Sequence, residues 1–328
     1  MTRIPEKVQE TELSREVQAA GLKRIAQGKV RDTFSLPGFL PKLLLMVSTD
    51  RISIFDFALP VAVPYKGEVL NALTIFWLTK VVKSFSNHLV AYGSGIDQYL
   101  PSALWGNNEL QARAMVVKRF EIVPVEAVVR GYLTGSAWKE YRDSCPNLWG
   151  HELPKGLNDG SRLPNPIFTP TTKSPDGHDQ PIPIIRFRQQ YGSLGGQMEY
   201  MSLRIYNAAQ EYANARGFLI ADTKFEFGLL WYVEKLILAD EVLTPDSSRI
   251  WHLEQWREAQ KSKKSPPGYD KQPVRDYFAE AFKGRDPTNP ADLEFAAGLE
   301  VPVEIVESTM QRYLQIFEAL TGQSLPEF

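Results

Sequence analysis

The sequence predicts a globular protein of the mixed α and β class, and three features lead to this prediction. Its 328 residues, 43% of them hydrophobic, are enough for one large domain or two medium-sized ones with a sizeable core. Apolar runs at 42–50 and within 112–131 predict strands. Helical spacing of apolar residues over 67–85, 198–216 and 302–322 predicts helices. A chain with both kinds of element packs them in layers around a core.

Three further segments complete the predicted elements. Residues 134–144 are expected to form a short helix, because a hydroxyl-bearing residue stands at their start. Residues 220–228 and 231–240 are predicted to be the two strands of a hairpin. Residues 146–185 are rich in Pro, Gly, Asn and Asp, so we expect a long loop there, either functional or disordered.

Composition restricts the partners and the compartment. The net charge of −2 gives no general attraction to nucleic acid or to an anionic membrane. The single cysteine, Cys145, cannot form an intrachain disulfide, which fits a reducing compartment. The sequence contains neither a signal-peptide pattern nor an apolar run of membrane-spanning length. We therefore expect a cytoplasmic protein that binds neither nucleic acid nor membranes.

The segment "IADTKFEFG" at 220–228 carries the strongest chemical pattern. Side chains on a strand alternate between its two faces, so three charged residues share one face and two phenylalanines share the other. The charged residues are Asp222, Lys224 and Glu226. In a hairpin, Asp240 lies beside Glu226, and two carboxylates near phosphates are a suitable Mg²⁺ site. The alternative is a salt-bridged hairpin surface.

Two segments near the N-terminus contain residues that suit anions. In "QGKVRDTF", Gly28 lets the backbone approach a phosphate and Lys29 can pair with it, although the P-loop spacing is absent. A solvated turn explains this segment better. In "STDRISIFDFALP", Asp50 and Arg51 follow an apolar strand, where ligands often bind. The alternative, a surface Asp–Arg pair that closes a turn, is equally supported.

Three later segments add polar groups. In "VVRGYLTGS", Arg130 precedes a helix N-terminus, and two flanking glycines are expected to leave room for a carboxylate or phosphate. The alternative is a capped helix with an exposed arginine. The segment "FTPTTKSPDGHDQ" supplies Lys173, His178 and Asp179, with a plain polar loop as the alternative. The segment "TPDSSR" suits a polar, charged substrate; its candidate residues are Asp246, Ser248 and Arg249.

Taken in order, six segments resemble the SAICAR synthetase family, phosphoribosylaminoimidazole-succinocarboxamide synthase. They are "GKVRD", "STDRIS…FD", "VVRGYLTGSAWKEY", "PIFTPTTK…GHD", "IADTKFEFG" and "DEVLTPDSSRIW". The resemblance extends from about Gly28 to residue 277. It implies a two-lobed α+β fold in which a kinase-like N-terminal lobe and a larger α+β lobe bind ATP between them. We expect the lobes at 1–118 and 119–328.

The family implies an ATP-dependent ligase of purine biosynthesis. Such an enzyme joins L-aspartate to the carboxylate of carboxyaminoimidazole ribonucleotide (CAIR), cleaves ATP to ADP and phosphate, and requires Mg²⁺. A carboxylate is a poor acyl donor because its leaving group is oxide, so activation through an acyl phosphate is expected. Holding several anions together makes positioning and charge neutralisation the main demands on the protein.

The resemblance also assigns site residues. It implies nucleotide contacts by Gly28, Lys29, Lys118, Glu121 and Lys224. It implies metal ligation by Glu226 and Asp240. It implies substrate contacts by Asp50, Arg51, Arg130, Ser136, Lys173, His178, Asp179, Ser248 and Arg249. Roles close to the chemistry fall to Lys224, Asp222 and Asp246.

Two other functions and two oligomeric states stay open at this point. One alternative is a catalytically inactive nucleotide-binding protein. The other is a phosphotransferase, which is disfavoured because the kinase catalytic-loop signature is absent from the sequence. Monomer and homodimer are both compatible with the sequence. The hairpin turn, in the segment "LLWYVEK", is apolar, which predicts that another lobe or subunit covers it.

Overall fold

The computed structural model describes residues 11–39, 42–54, 57–173, 179–269, 271–285, 289, 292, 294–295 and 298–325. The helices are α1 Glu12–Ala19, α2 Lys66–Phe76, α3 Asn108–Arg113, α4 Gly135–Ser144, α5 Ile184–Asn214, α6 Leu253–Lys261, α7 Gln272–Ala281 and α8 Val303–Thr321. The strands are β1 Arg24–Gln27, β2 Arg31–Leu36, β3 Leu43–Ser48, β4 Arg51–Ile54, β5 Phe57–Ala62, β6 Leu89–Tyr92, β7 Ala114–Lys118, β8 Glu121–Ile122, β9 Val125–Leu133, β10 Asn147–Leu148, β11 His151–Glu152, β12 Ser161–Phe168, β13 Thr171–Thr172, β14 Phe218–Leu230, β15 Lys235–Ala239 and β16 Ser248–His252.

The chain forms two compact units, each drawn from separate segments. The first unit takes its described residues from Met1–Ile75, His88–Arg119 and Lys271–Phe328, and the second from Phe76–Asn87 and Phe120–Asp270. The lobe division at 1–118 and 119–328 stays a prediction, and packing groups the C-terminal segment with the first unit. None of the helices in the described part of the chain combines the length and apolar character needed to cross a membrane.

The first unit contains an antiparallel sheet of five strands in the order β1-β2-β3-β7-β6. Strand β3 is the predicted apolar strand and lies between β2 and β7. Leu43, Leu45 and Val47 belong to one buried cluster and Met46 to another, which explains why the strand is apolar on both faces. Strand β2 alternates partly exposed and buried residues, as a strand with one buried face does. The prediction of a strand within 42–50 is confirmed.

The C-terminal helix α8 belongs to this first unit because its apolar side chains pack against a buried cluster of that unit. Ile305, Val306 and Met310 pack against a buried cluster that includes Ile52 from β4 and Phe278 from α7. Pro302 stands just before α8, and Gly322 just after it has a left-handed φ of 71°. Proline at the start and a left-handed glycine after the end are common helix boundaries. The predicted helix over 302–322 is confirmed.

The second unit contains a seven-stranded sheet built on β9 and β14. Its main path is β12-β9-β14-β15, with β13 also paired to β9 and with β8 and β16 also paired to β14. All nine residues of β9 are buried, and helix α5 packs against both β9 and β14. The predicted hairpin is confirmed: β14 and β15 are antiparallel, with Glu226 opposite Ala239. Its second strand is shorter than the predicted 231–240, because Trp231–Val233 form a 3-10 turn and the strand begins at Lys235. At its turn, Trp231 and Tyr232 are exposed.

The prediction of one long loop over 146–185 is wrong. This range contains β10 to β13 and the first residues of α5, and β12 pairs with β9 at the edge of the sheet. The sequence pattern does not predict β12 because Pro164 and Pro166 lie within the strand. Proline cannot donate a ladder hydrogen bond, so it is tolerated on an edge strand. The β12–β9 register is irregular between Arg162 and Ile167, where the prolines lie.

Gly131 on β9 gives a first prediction, about stability. A Cβ atom at this position would collide with the hydroxyl of Tyr206, which donates a 2.6 Å hydrogen bond to the carbonyl of Ile220. We expect Gly131→Ala to lower the free energy of unfolding by about 1–3 kcal/mol through overpacking, measured by urea denaturation. Gly196→Ala is the control, because its Cβ meets nothing within 4 Å. Equal unfolding midpoints in both variants would contradict this account.

Candidate active site

One face of the second unit's sheet gathers five of the predicted site residues together with Glu126. Asp222 on β14 stands opposite Arg130 on β9 and opposite Arg249 on β16. Opposite residues in an antiparallel pair project to the same side of the sheet, and so do residues two and four positions along a strand. This set, here called the charged face, comprises Glu126, Arg130, Asp222, Lys224, Glu226 and Arg249.

The alternation predicted for β14 is confirmed. Asp222, Lys224 and Glu226 are partly exposed, whereas Phe225 and Phe227 are buried. Asp222 and Glu226 are four positions apart on an extended strand, which corresponds to about 13 Å. The charged face therefore has two ends, which differ in their net charge.

The arginine end carries a net positive charge. One oxygen of Asp222, Oδ2, accepts hydrogen bonds of 2.9 Å from both Arg130 Nη1 and Arg249 Nη1. Arg130 is nearly buried, and its Nε donates to the hydroxyl of Thr169 at 2.9 Å, while its Nη2 donates to Ser136 Oγ at 3.4 Å. Two guanidinium groups share one carboxylate here, so the cluster favours a further anion.

Burial lowers the pKa of Arg130, and the positive charge of Arg249 adds to this effect, whereas Asp222 opposes it. Burial is the largest cause of this pKa shift, so the guanidinium of Arg130 has lost hydration that the attraction of Asp222 replaces only in part. An arginine stays protonated in a protein, so an incoming anion would offset part of the cost of burying this charge. Helix α4 begins beside this cluster, and a helix N-terminus adds unpaired N–H groups.

The sequence predicts that the two glycines of "VVRGYLTGS" leave room for a ligand. In the structure, side chains of the protein itself occupy the space beside both glycines. The space at Gly131 is filled by Tyr206, and a Cβ at Gly135 would lie 2.9 Å from the guanidinium nitrogens of Arg249. Gly135 also has a left-handed φ of 61°. Glycine at these positions lets the protein's own side chains approach the backbone. The expected side-chain cap on α4 is absent too: Thr134 is the N-cap but makes no capping side-chain bond.

The carboxylate end contains two lysine–glutamate pairs. Lys224 Nζ lies 3.0 Å from Glu126 Oε1, and Lys173 Nζ lies 2.5 Å from Glu226 Oε2. Asp240 follows Ala239, the residue that stands opposite Glu226, so the two acidic residues occupy neighbouring positions of the paired hairpin. Contact between their carboxylates stays a prediction. Asp240 has a left-handed φ of 60°, a conformation that aspartate tolerates better than most residues.

Neighbouring carboxylates control the charge of Lys224. Burial by itself lowers the pKa of a lysine, but the attraction of Glu126, with smaller contributions from Glu241 and Glu226, outweighs burial here and raises it. The lysine therefore stays protonated, while 42% of its side chain is exposed. A fixed positive charge next to carboxylates suits a site that receives phosphate oxygens.

The donor set at this end fits a hard cation. Within the described residues, no three His, Cys, Asp or Glu side chains come together as a self-sufficient metal site. Mg²⁺ does not need one, because it is commonly held by one or two carboxylates together with substrate phosphates and water. Glu226 and Asp240 are the predicted pair, and their role as metal ligands stays a prediction.

Ser248 does not lie on the charged face, and its substrate contact stays a prediction. It lies opposite Thr223 in the β14–β16 pairing, on the buried side of the sheet, and its Oγ shares a 2.8 Å hydrogen bond with Thr223 Oγ1. It is 6% exposed. Its neighbour Asp246 is partly exposed in the turn after β15, in which Ser247 Oγ accepts a hydrogen bond from Thr244 N.

Arg51 in the first unit is buried as well. Its side chain is 1% exposed, and Nη2 lies 2.6 Å from Asp32 Oδ1 and donates to the carbonyl of Gly28 at 3.1 Å. Asp50 accepts hydrogen bonds of 2.7 and 3.0 Å from Arg113. Both residues thus take part in ion pairs within the unit, and their substrate contacts stay predictions.

The remaining predicted residues are spread over both units. Gly28 and Lys29 lie in the turn between β1 and β2, and Lys118 is exposed at the end of β7. Glu121 in the second unit accepts a 2.8 Å hydrogen bond from Trp231 Nε1. Asp179 is exposed, whereas His178 lies outside the described residues. The nucleotide and substrate roles of this group stay predictions.

Sequence reasoning missed Glu126 on the charged face and Thr169 next to it. Glu126 pairs with Lys224, and Thr169 accepts from Arg130. The available signal was the single carboxylate in the apolar segment "IVPVEAVV", since a charge in a buried strand needs a partner. Thr169 had no comparable signal, because the residue lies after an edge strand that the sequence concealed.

A sheet face with an arginine end and a carboxylate end, in an α+β chain, defines an enzyme that handles phosphorylated anions. The SAICAR synthetase family profile matches residues 24–289. The phosphoribosylaminoimidazole-succinocarboxamide synthase of Thermodesulfovibrio yellowstonii is 41% identical over 309 residues, which cover 94% of this chain and 98% of that protein. The synthase of Schizosaccharomyces pombe is 37% identical, over 93% of this chain and 96% of that protein.

A solved structure agrees with these relatives. The SAICAR synthase of Saccharomyces cerevisiae complexed with SAICAR superimposes with a TM-score of 0.80 at 35% identity, over 98% of this chain and 100% of that one. The chain belongs to the SAICAR synthetase family. The predicted fold class and the predicted enzyme class, an ATP-dependent ligase of purine biosynthesis, are confirmed. Neither the inactive binding protein nor the phosphotransferase finds support.

Proposed function

We propose that the protein joins L-aspartate to the carboxylate of CAIR through an acyl phosphate, with the charged face as its substrate platform. The observation that carries the proposal is the division of that face into an arginine end and a carboxylate end on a single strand, β14. A ribonucleotide substrate has a phosphate at one end and, in CAIR, a carboxylate at the other. The two ends of the face have the charges that such a molecule requires.

The chemistry takes two steps. A carboxylate oxygen of CAIR attacks the γ-phosphorus of ATP, an O–P bond forms, and the bond to the bridging oxygen of ADP breaks. The amine of aspartate then attacks the activated carbonyl carbon, a C–N bond forms, the C–O bond to phosphate breaks, and the amine loses a proton. Both steps bring anions together, so the protein contributes mainly orientation and neutralisation.

The arginine end would hold the ribonucleotide phosphate. Arg130 and Arg249 offer planar N–H donors, and Ser136 at the start of α4 adds a hydroxyl. Asp222 binds both arginines through one oxygen, so its role is to orient them. The hydroxyl of Thr169 accepts a hydrogen bond from Arg130 Nε. Together these contacts restrict the guanidinium groups before the substrate arrives.

The carboxylate end would hold the reacting groups. Glu226 and Asp240 would bind Mg²⁺, which supplies charge neutralisation for ATP phosphates when bound. Lys224 would donate to phosphate oxygens, and Lys173, now paired with Glu226, would be released to do the same. Asp246, in the turn after β15, is proposed to contact the substrate aspartate or CAIR.

The test is ADP release in a coupled assay from which ATP, Mg²⁺, CAIR and L-aspartate are omitted one at a time. We expect turnover only when all four are present. ADP formation at an undiminished rate without aspartate would indicate a phosphotransferase or hydrolase. Nucleotide binding without turnover would indicate a binding protein.

For the assembly, we propose a cytoplasmic monomer or homodimer, and the hairpin turn is the candidate contact of a dimer. Trp231 and Tyr232 are 61% and 83% exposed in the single chain. Large exposed aromatic side chains at a tip are typical of interaction surfaces. We expect Trp231→Ser with Tyr232→Ser to lower the mass measured by light scattering. An unchanged mass would exclude the turn as the contact.

A further inference from the structure

Glu126 is a buried carboxylate on the charged face for which the reaction provides no direct use. Its side chain is 11% exposed, and its Oε1 lies 3.0 Å from Lys224 Nζ. Lys224 stands opposite Val128 on β9, and Glu126 is two residues from Val128, so the pair is a diagonal contact on one side of the sheet.

The two partners differ in how firmly they are held. Glu126 belongs to β9, in which every residue is buried, and Thr171 on β13 stands opposite it. The side chain of Lys224 is 42% exposed and ends in an ammonium on a flexible four-carbon chain. An ion pair between two mobile surface groups fixes neither. Here the buried carboxylate fixes the end of the lysine.

The number of N–H donors on Lys224 indicates how many stay available for other oxygens once it is paired with Glu126. A lysine ammonium has three N–H donors, and Glu126 uses one of them. Two donors remain for other oxygens. An ionised carboxylate only accepts hydrogen bonds and repels phosphate, so Glu126 has no favourable direct contact with the phosphates of a nucleotide. Any effect on nucleotide phosphates must therefore pass through Lys224.

We propose that Glu126 is a positioning residue that holds the ammonium of Lys224 where it meets the nucleotide phosphates. The inference rests on the proposed function, since it deepens the role of Lys224 there. It adds to the reaction site a residue on a different strand from the lysine it serves.

A double-mutant cycle on the full-length protein tests this. Glu126→Gln keeps the size of the side chain and removes its charge, and Lys224→Met removes the ammonium. We expect Glu126→Gln to lower kcat/KM for ATP about tenfold or more, since a charged hydrogen bond is lost. The KM for CAIR should change less than about twofold, and in the Lys224→Met background Glu126→Gln should add less than about twofold.

The matched control is Glu199→Gln, which removes the charge of another well-held carboxylate of the same unit. Glu199 is paired with Arg188 at 2.7 Å and its side chain is 18% exposed. We expect its kinetics to equal those of the unchanged protein. Melting temperatures are compared for all variants. If Glu126→Gln does not fold, Glu126→Asp, which keeps the charge and shortens its reach, replaces it in the cycle.

Two outcomes would overturn the inference: unchanged ATP kinetics in Glu126→Gln, or losses that multiply in the double variant, which would mean that Glu126 acts independently of Lys224. If the unchanged protein does not turn over, the proposed function fails. The same cycle measured on ADP affinity by calorimetry then decides the inference separately. Coupled losses of affinity support it, and independent losses reject it.

Discussion

Replacing either Glu226 or Asp240 by alanine is expected to lower kcat about a hundredfold, and excess Mg²⁺ is expected to restore part of the loss. The physical reason is that two carboxylates and the ATP phosphates would share one cation. With one carboxylate gone, the remaining ligands bind the cation more weakly, so a higher concentration is needed to fill the site. The measurement is kcat as a function of Mg²⁺ concentration at saturating substrates.

Glu226 requires a second control because it is also an ion-pair partner. Its Oε2 lies 2.5 Å from Lys173 Nζ, so its removal also releases a lysine. Lys173→Met removes that pair and keeps both carboxylates. If Glu226 binds the cation, the Mg²⁺ dependence moves in Glu226→Ala and stays in place in Lys173→Met. Identical behaviour of the two variants would assign Glu226 to the ion pair alone.

Glu211→Ala is the matched control for removal of a carboxylate in the same unit. Glu211 is exposed on helix α5, away from the charged face. Its loss should leave kcat and the Mg²⁺ dependence unchanged. Near-normal kinetics in both Glu226→Ala and Asp240→Ala would remove the basis for the metal assignment.

The hairpin was predictable from sequence because all its determinants are local. A period of two sorts Asp222, Lys224 and Glu226 from the phenylalanines, and a short turn sets the register with β15. That register places Ala239, the residue before Asp240, opposite Glu226 without any information from distant parts of the chain. The element type and the strand pairing followed from these short-range rules, whereas the metal pair stays a prediction.

The partners of these residues were not predictable, because they come from distant segments. The alignment of β9 with β14 brings Glu126 to Lys224, across 98 positions of sequence. Arg51 was predicted to face a substrate because it follows an apolar strand, and the same position serves equally well for a buried pair with Asp32. Sequence pattern alone cannot separate a buried ion pair from a site residue.

The same limit explains the misreading of Gly131. The glycine after Arg130 predicts that another group comes close to the backbone, and this prediction is correct. What approaches is Tyr206, a residue of helix α5, and the helix position becomes known only when the sheet and its covering layer are assembled. A local signal thus identified the need for space but not its occupant.

Arg249→Met is expected to raise the KM for CAIR about tenfold to a hundredfold, with little change in the KM for ATP. A charged hydrogen bond contributes about 1.5–3 kcal/mol, and Arg249 would make one or more with the ribonucleotide phosphate. Arg249→Lys should recover only part of the loss, because an ammonium cannot present two parallel donors. The measurement is steady-state kinetics with each substrate varied in turn.

Arg130 should behave differently because it is more deeply buried. Its side chain is 7% exposed, against 27% for Arg249, and both arginines bind the same oxygen of Asp222. Arg130→Met leaves Asp222 with one partner, so we expect a loss of stability of about 3–5 kcal/mol in addition to weaker CAIR binding. Arg249→Met should bring the kinetic loss with a smaller change in unfolding free energy. An equal rise of both KM values in Arg249→Met would reject the arginine end as the ribonucleotide phosphate site, since that result requires Arg249 to act on ATP as well.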